Sequence, residues 1–495
     1  MPKIWKYHFF LVNLQANMKS IARYIVLLAA CLMTSATIFA RESLDILLQH
    51  PITSSANITL LVQDLETGEL IDLYRPQNVA PPASVMKLLP TATSLETLGA
   101  DYRFSTYIEY TGTIRSGVLH GDLYVRGTGD PTIGSQKVGD RSFMNKWVRA
   151  IKEAGIREIR GQVIADLSYF DADAINPGWI WEDIGNYYAP GVYALSYMDN
   201  TMNVVLRSGA VGSIAEVQYT VPEVPGVQFD NHIRCTSTMH DGAYVHGAAY
   251  SYTRYLTGSV PSNQGSFGVQ GDLPNPGLLL VQHLSQRLEE NGVSISAEPT
   301  YRSEADRTSR TLLYTWQSAP LRDIIMETNT HSNNLYAESI FRTFGANYTT
   351  PCTIHNSADF EKDFWSRRGV NLRNARIVDG CGLAPQDALS AEMLVQLLTY
   401  MYRSKNRDAF YASLPVSGQS GTLRSLLPGT ELEGRVHAKS GTIAATKNFA
   451  GYIELPNGKT WVFAVMVSFG NGKSKDIQRV IGNYLLDLYK TKGKE

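Results

Sequence analysis

Pro81-Pro82-Ala83-Ser84-Val85-Met86-Lys87 stands near the start of the chain, Ser332-Asn333-Asn334 far downstream, and Lys439-Ser440-Gly441-Thr442 beyond that. The two prolines lead into Ser84, and proline favours the first turn of a helix. On a helix Lys87 lies one turn after Ser84 on the same face, so its amine reaches the serine hydroxyl. Alone, an S-x-x-K string is weak evidence: about two should arise by chance in such a chain, and Ser84 also reads as a helix cap. Three motifs in this order weigh far more. They supply a nucleophile, an adjacent amine, a second hydroxyl, an amide and a second cation, the parts of a serine acyl-transfer site that works without histidine.

Residue chemistry then assigns roles. A hydroxyl needs a base, and Lys87 serves only as the neutral amine. A free lysine titrates near ~10.4, so work near neutrality demands a shift of about three units, roughly 4 kcal/mol. Burial and a like charge both push that way, and Lys439 is the candidate second cation. Ser332 would pass a proton between Lys439 and the leaving amine. Asn334 would hold Lys87 and the substrate amide. Backbone N–H groups of Ser84 and Thr442 are the candidate oxyanion hole, and the hydroxyls of Ser440 and Thr442 candidate receptors for a substrate carboxylate.

With these residues the sequence resembles the penicillin-binding D-alanyl-D-alanine carboxypeptidase/endopeptidase family, the class C low-molecular-mass penicillin-binding proteins of DacB type, over roughly residues 44–490. Tyr124-Val125-Arg126-Gly127-Thr128-Gly129-Asp130-Pro131, Tyr188-Ala189-Pro190 with Ala194-Leu195-Ser196, Asp379-Gly380-Cys381-Gly382-Leu383, and Leu414-Pro415-Val416 followed by Gly421-Thr422-Leu423 add to the likeness. Three positions depart from it. Ser440 replaces the usual threonine and keeps the hydroxyl, Cys381 stands where serine is usual, and Pro90 should kink the helix below the site. The resemblance implies an α+β fold: a penicillin-binding-protein/β-lactamase-like transpeptidase domain, an antiparallel sheet flanked by helices, with a large, mostly β insert. It also implies a serine DD-peptidase that cleaves D-Ala-D-Ala termini or D-configured cross-links of peptidoglycan stem peptides through a Ser84 acyl-enzyme, with β-lactams as covalent inhibitors. The rival readings are a β-lactamase or a non-catalytic wall-binding protein on the same fold. A Ser-His-Asp esterase is disfavoured by the lack of a G-x-S-x-G elbow.

Composition agrees with an exported globular enzyme. The chain has 495 residues, 44% of them hydrophobic, enough for two or three domains. Its 45 basic and 46 acidic residues argue against a nucleic-acid partner. Lys19 and Arg23, the apolar run from Tyr24 to Leu32 and the small residues up to Ala40 read as a signal peptide over 1–40, cleaved before Arg41, with a periplasmic destination. Residues 1–17 look like an extension from a misplaced start. The alternative is a lipid anchor on Cys31, within Leu28-Ala29-Ala30-Cys31. No later run approaches the ~20 apolar residues of a membrane span. Cys235, Cys352 and Cys381 then remain, an odd number, and a Cys352–Cys381 disulfide and free thiols are weighed equally. The chain has no CxxC pair and no HExxH helix, so neither a metal nor a cofactor is expected.

Along the chain, Asn57–Asp64 and Glu69–Tyr74 read as a hairpin about Glu66-Thr67-Gly68, and Asn448–Leu455 and Thr460–Phe469 as another about Pro456-Asn457-Gly458. The Ser84 helix should run to Leu98 and stop at Gly99, a helix should start at Ser332, and Lys475–Tyr489 has helical spacing. The peptidase domain is therefore expected over 41–114 plus 271–495. The insert is expected over 115–270, as one or two β-rich subdomains, with Leu278–Asn291 as a helix returning to the peptidase domain. Within it, Trp179-Ile180-Trp181-Glu182-Asp183 precedes Tyr187-Tyr188. That stretch reads either as a partly buried aromatic cluster or as a wall of the Ser84 cleft, with Asp183 binding the free amine of a substrate diamino acid. Arg126, His331 and His437 lie next to motifs with their roles open.

Overall fold

The computed structural model describes residues 43–494, so the expected export signal and Cys31 lie outside the described residues. The strand Asn57–Asp64 pairs antiparallel along its whole length with Thr460–Ser468, from Asn57 opposite Ser468 to Asp64 opposite Trp461. Around this pair the sheet runs Leu70–Tyr74, Asn57–Asp64, Thr460–Ser468, Thr446–Glu454, Val436–Ile443, every neighbour antiparallel. Both expected hairpins form, and Gly68 and Gly458 take the positive φ that their turns require.

Side-chain alternation sorts the sheet's two faces, because successive strand residues point to opposite sides. Trp461, Phe463, Val465 and Val467 pack with Ile477, Ile481, Tyr484 and Leu488 of the C-terminal helix Ser474–Lys492. Val462, Ala464 and Met466 face the other way, into a core shared with the helices Leu88–Leu98, Leu321–Thr330, Asn334–Thr343 and Ala391–Arg403. The strand Val436–Ile443 is left at the sheet edge, packed against the Ala83–Lys87 turn. Among the described residues no helix is long and apolar enough to cross a membrane.

The middle of the chain departs from the expected boundaries. Strands Thr300–Arg302, Val163–Asp166, Leu123–Arg126, Ser105–Tyr110 and Thr311–Gln317 form one mixed sheet. The hydrogen-bonded unit thus opens near 105 and closes near 317, wider than 115–270. The helix Pro276–Glu290, expected to return to the peptidase domain, packs instead with Phe143–Glu153 and the strands of this middle unit in a separate core. The strand Thr311–Gln317 leaves little signal in the sequence, because its burial is partial and its alternation faint. Three further sheets complete the β-rich region: one of Glu216–Val221, Thr201–Arg207 and Phe267–Asp272, one built on Thr253–Pro261, and one of Ser294–Ile295, Glu158–Ile159, Val118–His120 and Thr113–Arg115.

Candidate active site

The residues Ala83–Lys87 form one 3₁₀ turn that runs directly into the α-helix Leu88–Leu98, which stops at Gly99 with φ +86. Pro90, where a kink was expected, is the third residue of the α-helix, in its first turn, a position at which proline is tolerated. Ala83, directly before the nucleophile, has φ +47, a conformation that costs free energy unless neighbours enforce it. Three neighbours do. Asn448 donates from Nδ2 to the Pro81 and Pro82 carbonyls, each at 2.9 Å. Gly382 backs onto the Ala83 carbonyl, and a Cβ on Gly441 would stand 2.5 Å from the Pro82 oxygen. Two glycines therefore let the 379–383 turn and the edge strand close on the nucleophile turn.

Within that frame Lys87 Nζ lies 2.8 Å from Ser84 Oγ and donates to the Cys381 carbonyl at 2.7 Å. Lys87 is wholly buried, and burial holds its amine below the usual lysine range, against the pull of Cys381, Asp379, Glu338 and Asp387. Ser332 has φ +61, because Asn333 must cap the following helix by accepting from the Tyr336 N–H. Its hydroxyl accepts from Lys439 Nζ at 2.9 Å, and Lys439 also donates to the Ser440 carbonyl. Burial, then the charges of Lys87 and Lys447, drive Lys439 well below the usual range. The repulsion expected between the two lysines thus falls hardest on Lys439, which is flanked by cations, whereas Lys87 is flanked by acids.

Two expected contacts differ. Among the described residues Asn334 makes no hydrogen bond with Lys87, whose amine bonds to Ser84 and Cys381. Its Nδ2 donates to the Tyr188 carbonyl at 2.7 Å, leaving a buried Oδ1 without a partner among the described residues. Ser440 is buried with its hydroxyl donated to Thr422 Oγ1 at 2.8 Å, while Thr442 is exposed at the edge. Asp183 is half-buried and accepts from the Tyr188 hydroxyl at 2.9 Å, which links it through Tyr188 to Asn334; burial raises its carboxyl. Tyr187, Tyr188, Ser332 and Asn334 line one cleft of about 620 Å³. Of the residues whose roles were open, Arg126 pairs with Glu109, His331 with Glu327, and the His437 ring lies tilted against Tyr411.

Behind Lys87 sits a cluster that sequence reasoning missed, since only Asp379 and Cys381 belong to a motif it quoted. The Asp379 carboxylate accepts the N–H groups of Cys381, Gly382, Leu383 and Ala384 and the Trp179 indole. Glu338 accepts from the Gly380 N–H, and burial pushes it up to about 8. Glu338, Asp379 and Cys381 have metal-ligating atoms close together. The two carboxyls accept from N–H donors, and burial raises the Cys381 thiol, so the donor set suits a hydrogen-bonded structural cluster better than a cation. Among the described residues Cys235, Cys352 and Cys381 are buried and free, which favours thiols over a Cys352–Cys381 disulfide. Lys447 and Asn448, on the strand beside the Lys439 motif, were also missed; neither belongs to a motif, and only strand register shows their place.

Known proteins resemble the chain over most of its length. The family model of the D-Ala-D-Ala carboxypeptidase 3 (S13) family matches residues 40–487. A D-alanyl-D-alanine carboxypeptidase of Actinomadura sp. (strain R39) is 27% identical, covering 85% of this chain and 79% of its own. The D-alanyl-D-alanine carboxypeptidase DacB of Haemophilus influenzae is 23% identical, with 86% and 88% covered. The crystal structure of penicillin-binding protein 4 (dacB) from H. influenzae superposes with a TM-score of 0.77 at 21% identity, over 91% of this chain and 99% of that one. A second structure of that protein, complexed with a β-lactam, gives 0.75 at 20% identity, over 91% and 100%.

Proposed function

Because the chain belongs to the S13 family of D-Ala-D-Ala carboxypeptidases, we propose that it is an exported, periplasmic serine DD-peptidase that cleaves peptidoglycan stem peptides through an acyl-enzyme on Ser84. The observation that carries the reading is the 2.8 Å contact between Lys87 Nζ and Ser84 Oγ, with the amine also anchored on the Cys381 carbonyl. A neutral Lys87 keeps one N–H on that carbonyl and turns its lone pair to the serine. The Ser84 hydroxyl then donates across the contact and loses its proton as it attacks the carbonyl of the penultimate D-alanine. Ser332, held by Lys439, stands ready to hand a proton to the departing amine. Asn334 orients the substrate amide with its unpartnered Oδ1. Backbone N–H groups of Ser84 and Thr442 receive the oxyanion, and water releases the acyl group. A β-lactam follows the same course as far as the acyl-enzyme.

Labelled penicillin tests this, with the labelled peptide located afterwards. A long-lived adduct on Ser84 is expected, lost in Ser84→Ala and at least about a thousandfold slower in a folded Lys87→Ala protein. Rapid release of hydrolysed drug would favour the β-lactamase reading. Normal acylation of Lys87→Ala would show that another group is the base.

A further inference from the structure

Lys447 is a third lysine at the site, opposite Thr442 in the register between the edge strand and its neighbour. Only 8% of it is exposed, and its amine donates to Thr442 Oγ1 at 2.9 Å and lies 5.2 Å from the Phe449 ring centroid. Among the described residues no carboxylate comes within ion-pair distance of it. A buried cation without a counter-charge is costly, and proteins ordinarily pair or neutralise one. Burial alone draws Lys447 down to about 8, so it keeps most of its charge near neutrality.

The missing negative charge has a natural source. The Thr442 hydroxyl accepts from Lys447, which leaves its own hydrogen to donate, and no acceptor for that hydrogen is found among the described residues. Thr442 is exposed where Lys447 is buried, so an anion arriving at the hydroxyl finds the ammonium directly behind it. Ser440, the other candidate receptor, is occupied with Thr422. We propose that Lys447 is a specificity residue that reads the free carboxylate of the substrate's C-terminal residue, acting together with the Thr442 hydroxyl. The proposal rests on Ser84 being the nucleophile, since the carboxylate lies one residue beyond the bond that Ser84 attacks.

The test compares acylation of Ser84 by benzylpenicillin and by its methyl ester, in which the carboxylate is masked. Wild-type protein is expected to react much faster with the free acid. In Lys447→Met the acid-to-ester ratio of acylation rates should fall by roughly tenfold to a hundredfold, the range for hydrogen bonds to charged groups. Lys447→Arg, which keeps the charge, should retain most of that ratio. Equal wild-type rates with acid and ester would overturn the proposal without recourse to any variant. So would a Lys447→Met protein in which both rates fall together, since that pattern marks an indirect effect through Lys439. If wild-type Ser84 is labelled by neither compound, it is the DD-peptidase reading that fails.

Discussion

At the scale of single residues, the site depends on keeping two buried amines from holding protons they would hold in water. Lys87 must be neutral to accept the Ser84 proton, so acylation should rise with pH as Lys87 deprotonates. Around it stand Cys381, Asp379, Glu338 and Asp387, which favour its charged form, and burial favours the neutral one. The repulsion between the two lysines falls on Lys439, which sheds its proton first, so Lys439→Gln leaves the surroundings that set Lys87 in place. The pH at which acylation reaches half its plateau should therefore stay within about half a unit, while binding weakens. Penicillin acylation followed from pH 5 to pH 10 checks this, and a midpoint that moves upward by about one unit would show that Lys439 keeps its charge and acts on Lys87. The nucleophile, its base, Ser332 and Lys439 were all legible in the sequence because each lies in a motif whose spacing dictates its contacts. Lys447 and Asn448 were not, because they reach the site through the register of a strand pair rather than through proximity in the chain.

At the scale of elements, the nucleophile turn is held by surfaces that admit no side chain. Gly382 has φ +82, and a Cβ there would run into the Ala83 carbonyl. Gly382→Ala should push the 379–383 turn away from Ala83 and carry the Cys381 carbonyl off Lys87. A displacement of about 1 Å at reacting groups costs on the order of a hundredfold in rate, and that loss of acylation is expected with the far-UV circular dichroism unchanged. A second element contact carries a stability prediction. Glu361 of the helix Ile354–Ser366 is wholly buried against Thr93 of the Leu88–Leu98 helix, which accepts the Trp365 indole N–H. Burial pushes its carboxyl up to about 8. The folded chain thus keeps a proton that the unfolded chain releases above about 4.3, so this residue progressively destabilises the fold as pH rises from about 4.3 to 8. Glu361→Gln should raise the Tm, by more at pH 8 than at pH 5, with the difference worth roughly 1–3 kcal/mol; a gap that stays flat between those pH values would show that Glu361 is not held protonated. Neither contact was visible beforehand. The helix and hairpin boundaries followed from periodicity and turn residues, but which helices pack together is a property of the tertiary arrangement.

At the scale of the whole molecule, the middle unit and the five-stranded sheet share responsibility for one site. Trp179 donates to Asp379, Asn176 to the Val378 carbonyl, and the Tyr188 carbonyl receives Asn334, so the 176–188 segment braces two of the site's motifs. Its aromatic and acidic composition was conspicuous in the sequence, whereas the reach of the unit from 105 to 317 was not, because the antiparallel pairing of Ser105–Tyr110 with Thr311–Gln317 joins strands far apart in the chain. Asp183 belongs to this segment, one hydrogen bond from Tyr188, which lines the cleft together with Ser332 and Asn334. Burial favours its neutral form, and an ammonium brought beside it would restore the charge, so the pair would strengthen as both groups leave water. A stem peptide with a free side-chain amine should gain roughly tenfold to a hundredfold in kcat/KM from that contact. Asp183→Asn keeps an acceptor for the Tyr188 hydroxyl and removes only the charge. It should lower kcat/KM on the free-amine peptide, leave the N-acetylated peptide within about threefold, and leave penicillin acylation unchanged, because penicillin has no such amine. Tyr188→Phe, which breaks the bond but spares the carboxylate, separates charge from scaffold. Equal losses on both peptides and on penicillin in Asp183→Asn would make Asp183 a brace for Tyr188 and assign the amine another partner.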